Sequence, residues 1–195
     1  MSSNRINTKT RILEVTWRLL ESGNKAIRMA DIAKAAGVSR QALYLHFPSR
    51  AELLVATTRH IDKVKNVDAR LARSRSASSG VERLHAFVDA WGGYIPQIHG
   101  ISVALRAMRD TDKEAAAAWE DRMQAVRQGC ESAVRAILED GYLKEGITEI
   151  TGVDLLWTLL SVENWERLVL ECGWSQSDYE QTLKQISIAT LMSRK

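Results

Sequence analysis

The sequence predicts an all-α protein with about nine helices, arranged as an N-terminal three-helix head followed by a larger helical body. Three observations carry this prediction. Helix start and stop signals stand at nearly every segment boundary. The chain has 2 prolines, Pro48 and Pro96, in 195 residues, which favours long helices. No run of residues alternates with period two for long enough to predict a strand.

The charge is distributed unevenly along the chain. Residues 1–75 hold 15 Lys+Arg and 6 Asp+Glu, a net charge of +9, whereas residues 76–195 carry −6. A basic head on an acidic body indicates that only the head meets a polyanion. A solvated basic face is the alternative that charge alone leaves open.

The remaining composition favours a soluble protein without a cofactor or a metal. No window of 18 apolar residues is present, and Met1–Thr10 is polar, so we expect no membrane span, no signal peptide and a cytoplasmic location. Cys130 and Cys172 form no disulfide framework and fit no metal spacing with the histidines. We expect buried, reduced thiols, with a redox pair as the alternative.

The first three helices are short, and start or stop signals in the sequence mark their ends. Residues 8–22 carry a helical apolar pattern that Gly23 stops, and residues 29–36 form a second helix that Gly37 ends. A third helix runs from a Ser39 cap to about Phe47, where Pro48 breaks it.

A fourth helix connects the head to the body. Ser49 and Glu52 form a capping box, and the helix is predicted to run to about Leu71. Residues 72–80 are small, polar and basic, and they read as a linker. Ser79 with Glu82 opens the next helix, which Gly92-Gly93, Pro96 and Gly100 interrupt.

Three longer helices complete the body. Thr111 with Glu114 forms a capping box for a helix to about Glu139, which Asp140-Gly141 ends. Residues 152–172 and 177–192 are two further helices, separated by residues 173–175.

Residues 28–54 carry the most specific pattern. Gly37 permits the positive φ of a tight turn, Val38 plugs the space between two helices, and Ser39 starts the second of them. The inward face of the pair is apolar and small: Ile32, Ala33, Ala36, Val38, Leu43 and Phe47. This combination predicts a helix-turn-helix, whose second helix lies in the DNA major groove. An ordinary helical hairpin with a polar face is the alternative.

The outward face of the second helix holds hydrogen-bond donors: Arg40, Gln41, Tyr44 and His46. Glutamine can pair with adenine and arginine with guanine in the major groove. Ser39, Tyr44 and His46 suit phosphate or sugar contacts, which position a protein without reading sequence.

The run DIAKAAGVSRQALYLHFPSRAELL resembles the DNA-binding signature of the TetR (tetracycline repressor) family. The resemblance covers about the first 55 residues and implies a transcriptional regulator that binds double-stranded operator DNA. Where the family usually has a threonine near the start of helix two, Ile27-Arg28-Met29 stand instead, and Arg28 could contact a phosphate. Arg50 replaces the usual lysine and keeps a positive charge for DNA.

The same resemblance implies residues 1–48 as a DNA-binding domain and residues 49–195 as a ligand-binding and dimerisation domain, with residues 49–71 connecting them. It implies a homodimer formed through the last two helices. Helix 152–172 is more apolar than one core-facing stripe requires, which suits an interface, although packing within one monomer is the alternative.

A small apolar or aromatic ligand is implied for the body. The candidate lining residues are aromatic or methionine: Trp91, Tyr94, Met108, Met123, Trp157 and Trp165. Each could equally fill space in a packed core.

Other classes of function find less support. No phosphate loop, Gly-x-Ser-x-Gly or His-Glu-x-x-His motif is present, so we expect no enzyme. A helical protein–protein adaptor would gain nothing from the basic head. Repression by occluding a promoter is the expected mode, with activation as the alternative.

Overall fold

The computed structural model describes residues 2–22 and 27–193, with side chains from residue 7 onward. The described part of the chain is all-α, as predicted, but it contains eleven α-helices rather than about nine. They are α1 (Ser2–Glu21), α2 (Met29–Ala35), α3 (Arg40–His46), α4 (Arg50–Val64), α5 (Val67–Arg75), α6 (Gly80–Gly92), α7 (Ile95–Arg109), α8 (Lys113–Glu139), α9 (Glu149–Leu159), α10 (Val162–Trp165) and α11 (Gln176–Leu191). A π-helical segment, Glu166–Glu171, follows α10. The predicted stop at Gly23 lies outside the described residues.

The chain forms two compact units. The head unit comprises Met1–Lys65 and Ile98–Met123, and the body unit comprises Asn66–Gln97 and Gln124–Lys195. The sequence predicted a single boundary after residue 48. In the structure α4 and most of α7 belong to the compact unit that holds the helix-turn-helix.

The head unit is built around α1. This helix packs against α2 and α4, and α2 packs against α3. The side chains that fill the space between these helices are fully buried and apolar: Ile12, Leu20, Ile32, Leu43, Leu53 and Leu54. Their burial holds the short helices α2 and α3 in place, because helices of 7 residues are not stable alone.

The body unit is built around α6 and α11. These helices pack against each other, α5 packs on α6, and α9 packs on α11. Gly80 begins α6 where a Cβ atom would lie 2.6 Å from the backbone nitrogen of Ile137 in α8. The amide of Gly80 also donates a hydrogen bond of 2.6 Å to Asp140. Only glycine, which has no Cβ atom, allows the start of α6 to lie this close to the backbone of α8.

The predicted fourth helix is two helices, so the expectation of one helix to about Leu71 is wrong. Helix α4 ends at Val64, and Asn66 takes a left-handed conformation with φ of 55° before α5 begins. Asparagine tolerates this conformation better than other side-chain-bearing residues. The predicted linker over residues 72–80 is shorter than expected, because α5 continues to Arg75 and α6 begins at Gly80. Ser74 is buried there and donates to the carbonyl of Arg83.

Helix α8 is capped by a different residue from the one predicted. The Oδ1 atom of Asp112 accepts hydrogen bonds from the amides of Glu114 and Ala115, at 3.1 and 3.2 Å. Thr111, the predicted cap, instead donates to the carbonyl of Met108. The predicted end is confirmed: Gly141 follows the helix with φ of 73°.

The predicted helix over residues 152–172 is divided. It ends at Leu159 and restarts at Val162, where Ser161 accepts a hydrogen bond from the amide of Asn164. The structure also separates the two thiols: Cys130 is buried, whereas Cys172 is exposed, contrary to the expectation of two buried cysteines.

Among the described residues, no helix is long and apolar enough to cross a membrane. In the same part of the chain, no cluster of three His, Cys, Asp or Glu side chains could hold a metal ion.

Candidate nucleic-acid interface

Gly37 forms the turn between α2 and α3. Its φ is 62°, in the left-handed region that glycine adopts without a Cβ clash. The amide of Val38 donates to the carbonyl of Ala33 at 3.0 Å, which closes the C-terminus of α2. Val38 is half-buried in the turn, where the sequence places it as a plug.

Ser39 caps α3. Its Oγ atom accepts a hydrogen bond of 3.1 Å from the amide of Ala42, which satisfies one of the free donors of the first turn. Leu43 is the one residue of α3 that is fully buried, and Phe47 is buried directly after the helix. The helix is therefore anchored along a single narrow stripe, and its opposite face is open.

The open face of α3 carries the predicted DNA-reading residues. Arg40 and Gln41 are exposed, and Tyr44 is 43% exposed. His46 is half-buried, with its ring 6.5 Å from that of Phe47. Leu45 is 71% exposed on the same helix. Leu45 was not among the residues that the sequence pattern assigned to either face of this helix.

An open groove of about 810 Å³ lies beside the helix-turn-helix. Arg28, Arg40 and Tyr44 contribute to its wall, and so do two carboxylates, Asp112 and Glu114. The structure therefore brings together the predicted residues from the start of α2 and from α3, and it adds acidic groups from the start of α8.

Arg50 contributes to the same groove, but its guanidinium is already engaged inside the head unit. The side chain is 13% exposed. Its Nε atom donates to the carbonyl of Ile27 at 2.6 Å, and its Nη1 atom donates to Asp112 at 2.6 Å and to Glu114 at 3.3 Å. A phosphate contact from Arg50 would have to compete with these three acceptors.

The carboxyl of Asp112 is held ionised by this arrangement. Partial burial acts to raise its pKa, but hydrogen bonds from the amide of Ala115 and from Arg50, with the positive charge of Arg50, lower it overall. Asp112 thus serves two partners at once: one oxygen caps α8 and the other binds Arg50.

The start of α2 lacks the usual threonine, yet it is partly capped. Asp31 accepts a hydrogen bond of 3.3 Å from the amide of Arg28. Arg28 itself is exposed beside the groove. This places the Arg28 side chain on the surface, as its predicted phosphate contact requires.

The predicted ligand-lining residues fall in both units. In the body unit, Trp91 and Tyr94 are buried with their rings 6.0 Å apart, edge to face. Trp165 is buried and donates to Gln176, which in turn donates to the carbonyl of Gly92. The body unit therefore brings Trp91, Tyr94 and Trp165 into one region.

The other three candidates are Trp157, Met108 and Met123. Trp157 is half-buried, and its ring lies 5.4 Å from the guanidinium of Arg127. Met108 is buried and Met123 is half-buried, and both belong to the head unit.

Tyr179 is a residue that sequence reasoning missed. It is fully buried in the body unit, and its hydroxyl has no hydrogen-bond partner among the described residues. A Cβ atom at Gly92 would lie 3.5 Å from its ring, so Tyr179 lies next to the Trp91 region. A buried hydroxyl without a partner is costly and marks a position where a ligand could supply an acceptor.

Comparison with known proteins agrees with this geometry. Residues 12–57 match the sequence model of bacterial regulatory proteins of the tetR family. The chain is 28% identical over 159 residues to the nucleoid occlusion factor SlmA of Marinomonas sp. (strain MWYL1), covering 78% of this chain and 77% of that protein. It is 28% identical over 178 residues to the HTH-type transcriptional regulator CymR of Pseudomonas putida, covering 83% and 81%.

The whole fold also matches solved structures. The transcriptional regulator FadR from Bacillus subtilis, solved in complex with stearoyl-CoA, superposes with a TM-score of 0.72 at 11% identity, over 92% of this chain and 97% of that one. A capped recognition helix with an open polar face, on an all-α scaffold, defines a helix-turn-helix DNA-binding protein. Residues 12–57 therefore form a DNA-binding domain of the tetR family, and the chain is similar over 83% of its length to an HTH-type transcriptional regulator.

Proposed function

We propose that the protein is a homodimeric repressor that binds a palindromic operator and is released from it by a small apolar or aromatic ligand. The observation that carries the proposal is the open face of α3, where Arg40, Gln41 and Tyr44 take no part in packing the core. A helix that is anchored by an apolar stripe on one side and is polar on its opposite side can enter the major groove without disturbing the fold.

The proposed roles of these residues follow from their chemistry. Gln41 reads adenine and Arg40 reads guanine through paired hydrogen bonds to base edges. Arg28, Ser39, Tyr44 and His46 contact phosphates or sugars. Arg50 acts differently from the sequence-based expectation: it positions α4 through Asp112 and Glu114 instead of meeting DNA directly.

Selection of bound sequences from a random duplex pool, followed by footprinting, tests the DNA-binding part. We expect a pseudo-palindrome with half-sites about one helical turn, or a multiple of it, apart. Affinity should fall steeply with salt, since phosphate contacts release counterions. Selection of no preferred sequence would contradict a sequence-specific regulator.

A dimer interface is proposed on the body unit. Four large apolar side chains are exposed on α9, the π-helical segment and α11: Ile150, Leu155, Leu170 and Ile186. Helices α9 and α11 pack against each other within the chain, so a second copy could cover this face in one four-helix contact. These are the last long helices, as the sequence implied.

A ligand site is proposed in the body unit around Trp91, Tyr94 and Trp165, with Tyr179 as the polar group. The indole nitrogens of both tryptophans already donate to protein acceptors. The hydroxyl of Tyr179, which has no partner among the described residues, therefore has a hydrogen bond to offer in this region. The B. subtilis neighbour was solved with stearoyl-CoA, which supports an apolar ligand with a polar end.

The proposed route from ligand to DNA is α8 and Arg50. Helix α8 is continuous over 27 residues. Its residues up to Met123 belong to the head unit, and its residues from Gln124 onward belong to the body unit. Its cap, Asp112, binds Arg50 at the start of α4. A shift of α8 along its axis would change this ion pair and the seating of the recognition helix. A ligand acts only if it binds the DNA-incompetent arrangement more tightly.

The ligand proposal is tested by combining tryptophan fluorescence with operator binding. Compounds that quench body fluorescence should also lower operator affinity, by about 5–150-fold for a coupling of about 1–3 kcal/mol. The Tyr179→Phe variant should fold normally and lose affinity for ligands that carry an acceptor. Quenching compounds that leave operator affinity unchanged would refute the coupling while leaving DNA binding intact.

A second function is favoured by one comparison. The relative from Marinomonas sp. is named a nucleoid occlusion factor. A regulator should occupy a few sites near promoters and change transcription there. Occupied sites without any change in nearby transcripts would instead favour a function other than transcriptional regulation. Genome-wide occupancy, combined with transcript levels in a deletion strain, separates the two functions.

A further inference from the structure

The centre of the DNA-facing surface of α3 is set by the position of Leu43. Leu43 is fully buried and defines the inward direction. Successive residues of an α-helix are rotated by about 100°. Measured in one direction around the helix, Gln41 lies about 160° from Leu43 and Leu45 about 200° from it, so the two residues stand on either side of the outward direction. Arg40 and Tyr44 lie on the flank of this outward-facing surface.

Leu45 occupies this central position with an apolar side chain. It is 71% exposed, more than Tyr44 beside it. Residues four apart on a helix are surface neighbours, so Leu45 lies next to Gln41. A leucine has no hydrogen-bonding group and cannot contact a phosphate or a base edge by donating or accepting.

One base in DNA presents an apolar group in the major groove. Thymine carries a C5-methyl group there, and apolar side chains recognise it by contact. The proposed partner of the neighbouring Gln41 is adenine, whose base-pair partner is thymine. An A·T pair under Gln41 therefore brings a methyl group into the same part of the groove.

We infer that Leu45 is a specificity-determining residue that contacts a thymine methyl group in each half-site, beside the base read by Gln41. This inference rests on the proposed sequence-specific DNA binding and adds a chemical requirement to it: the half-site contains a thymine opposite the centre of α3. The contact buries both apolar groups and favours thymine over cytosine at that position.

The test removes the methyl group and nothing else. Each thymine of the selected operator is replaced in turn by deoxyuridine, which keeps every hydrogen-bonding group. For the wild-type protein, replacement at one position per half-site should weaken binding roughly fourfold per half-site, the value expected for one buried methyl group. For Leu45→Ala the same replacement should have no effect, and this variant should bind the unmodified operator more weakly.

Leu138→Ala is the matched control. Leu138 is 44% exposed on α8 and has no proposed contact with DNA, so this variant should show the full deoxyuridine effect. Circular dichroism should report unchanged folding for both variants, because both side chains are exposed.

The outcomes separate the inference from the proposed function. Deoxyuridine that has no effect at any position, or an equal effect in wild type and Leu45→Ala, overturns the role of Leu45 while sequence-specific binding stands. Weakening of all sequences alike by Leu45→Ala overturns it too, since that result indicates a backbone contact. If no sequence is preferred, the proposed function fails and the inference fails with it.

Discussion

The Nη1 atom of Arg50 lies 2.6 Å from the Oδ2 atom of Asp112, so the first residue of α4 is ion-paired with the cap of α8. The two residues are separated by 62 positions in sequence. The pair joins the helix that follows the recognition helix to the longest helix of the chain. It is partly buried, with side-chain exposures of 13% and 25%, so water screens it less than a surface pair.

This pair should stabilise the head unit. In a double-mutant cycle, Arg50→Ala and Asp112→Ala should show a coupling free energy of about 1–2 kcal/mol in chemical unfolding, between the values for surface and buried pairs. The more exposed Arg59–Asp121 pair is the control and should show less than about 1 kcal/mol. Equal coupling for the two pairs would contradict the structural role of Arg50.

Operator binding distinguishes positioning by Arg50 from a phosphate contact. If Arg50 positions α4, then Arg50→Ala and Asp112→Asn should both weaken binding to all sequences and leave the salt dependence unchanged. If Arg50 instead meets a phosphate, Arg50→Ala should reduce the salt slope by about 1. Asp112→Asn should then bind at least as well as wild type.

Gln41 should read one base in each half-site. Gln41→Ala should relax sequence preference at a single position, at a cost of about 1–3 kcal/mol for a paired contact. Sequence selection on the Gln41→Ala variant measures this loss of preference directly. Glu52→Ala, which changes an exposed residue of α4, is the control. An unchanged selection profile for Gln41→Ala shows that another residue reads the base.

The exposed apolar face of the body unit should hold the dimer together. Wild type should sediment as a dimer at micromolar concentration. The double variant Ile150→Glu with Ile186→Glu should be a folded monomer with weak operator binding, because two buried carboxylates per subunit oppose association. Val103→Glu, which alters an exposed valine of the head unit, should remain dimeric. A monomeric wild type rules out this interface.

Gly80→Ala should destabilise the body unit. The new Cβ atom would lie 2.6 Å from the backbone of Ile137, which cannot move as a side chain can, and overpacking of this kind costs about 1–3 kcal/mol. Gly100→Ala is the control: its Cβ atom would lie 3.4 Å from the flexible side chain of Glu21. That substitution, inside α7, should be neutral or stabilise by up to about 1 kcal/mol. Thermal unfolding measures both.

The thiol of Cys130 should not react with thiol reagents while the protein is folded. Burial raises the pKa of its thiol to about 12, so almost no reactive thiolate forms near neutral pH. In the Cys172→Ser variant, no thiol should react with a thiol reagent until denaturant unfolds the chain, when one should react. Fast labelling of this variant under native conditions would show that α8 opens locally.

Short-range chemistry explains the features that the sequence predicted correctly. The caps at Ser39 and Ser49, the turn at Gly37 and the stop at Gly141 each depend on residues within one helical turn. The pattern of residues 28–54 therefore identified the helix-turn-helix and most of its outward face without any long-range information. The sequence-based prediction of Arg40, Gln41 and Tyr44 as surface residues has the same origin: they stand off the buried stripe.

Tertiary contacts decided the rest. The breaks before α5 and α10 contain no glycine or proline, and they fall at Asn66 and Ser161, residue types that also occur inside helices. Arg50 looked like a free cation, because its acceptors Asp112 and Glu114 lie 62 and 64 residues away. Leu45 was not among the predicted DNA-contacting residues, because the direction of its side chain depends on which face of α3 meets α2. Contacts between distant residues set the outcomes for Arg50 and Leu45, and no local pattern encodes those two.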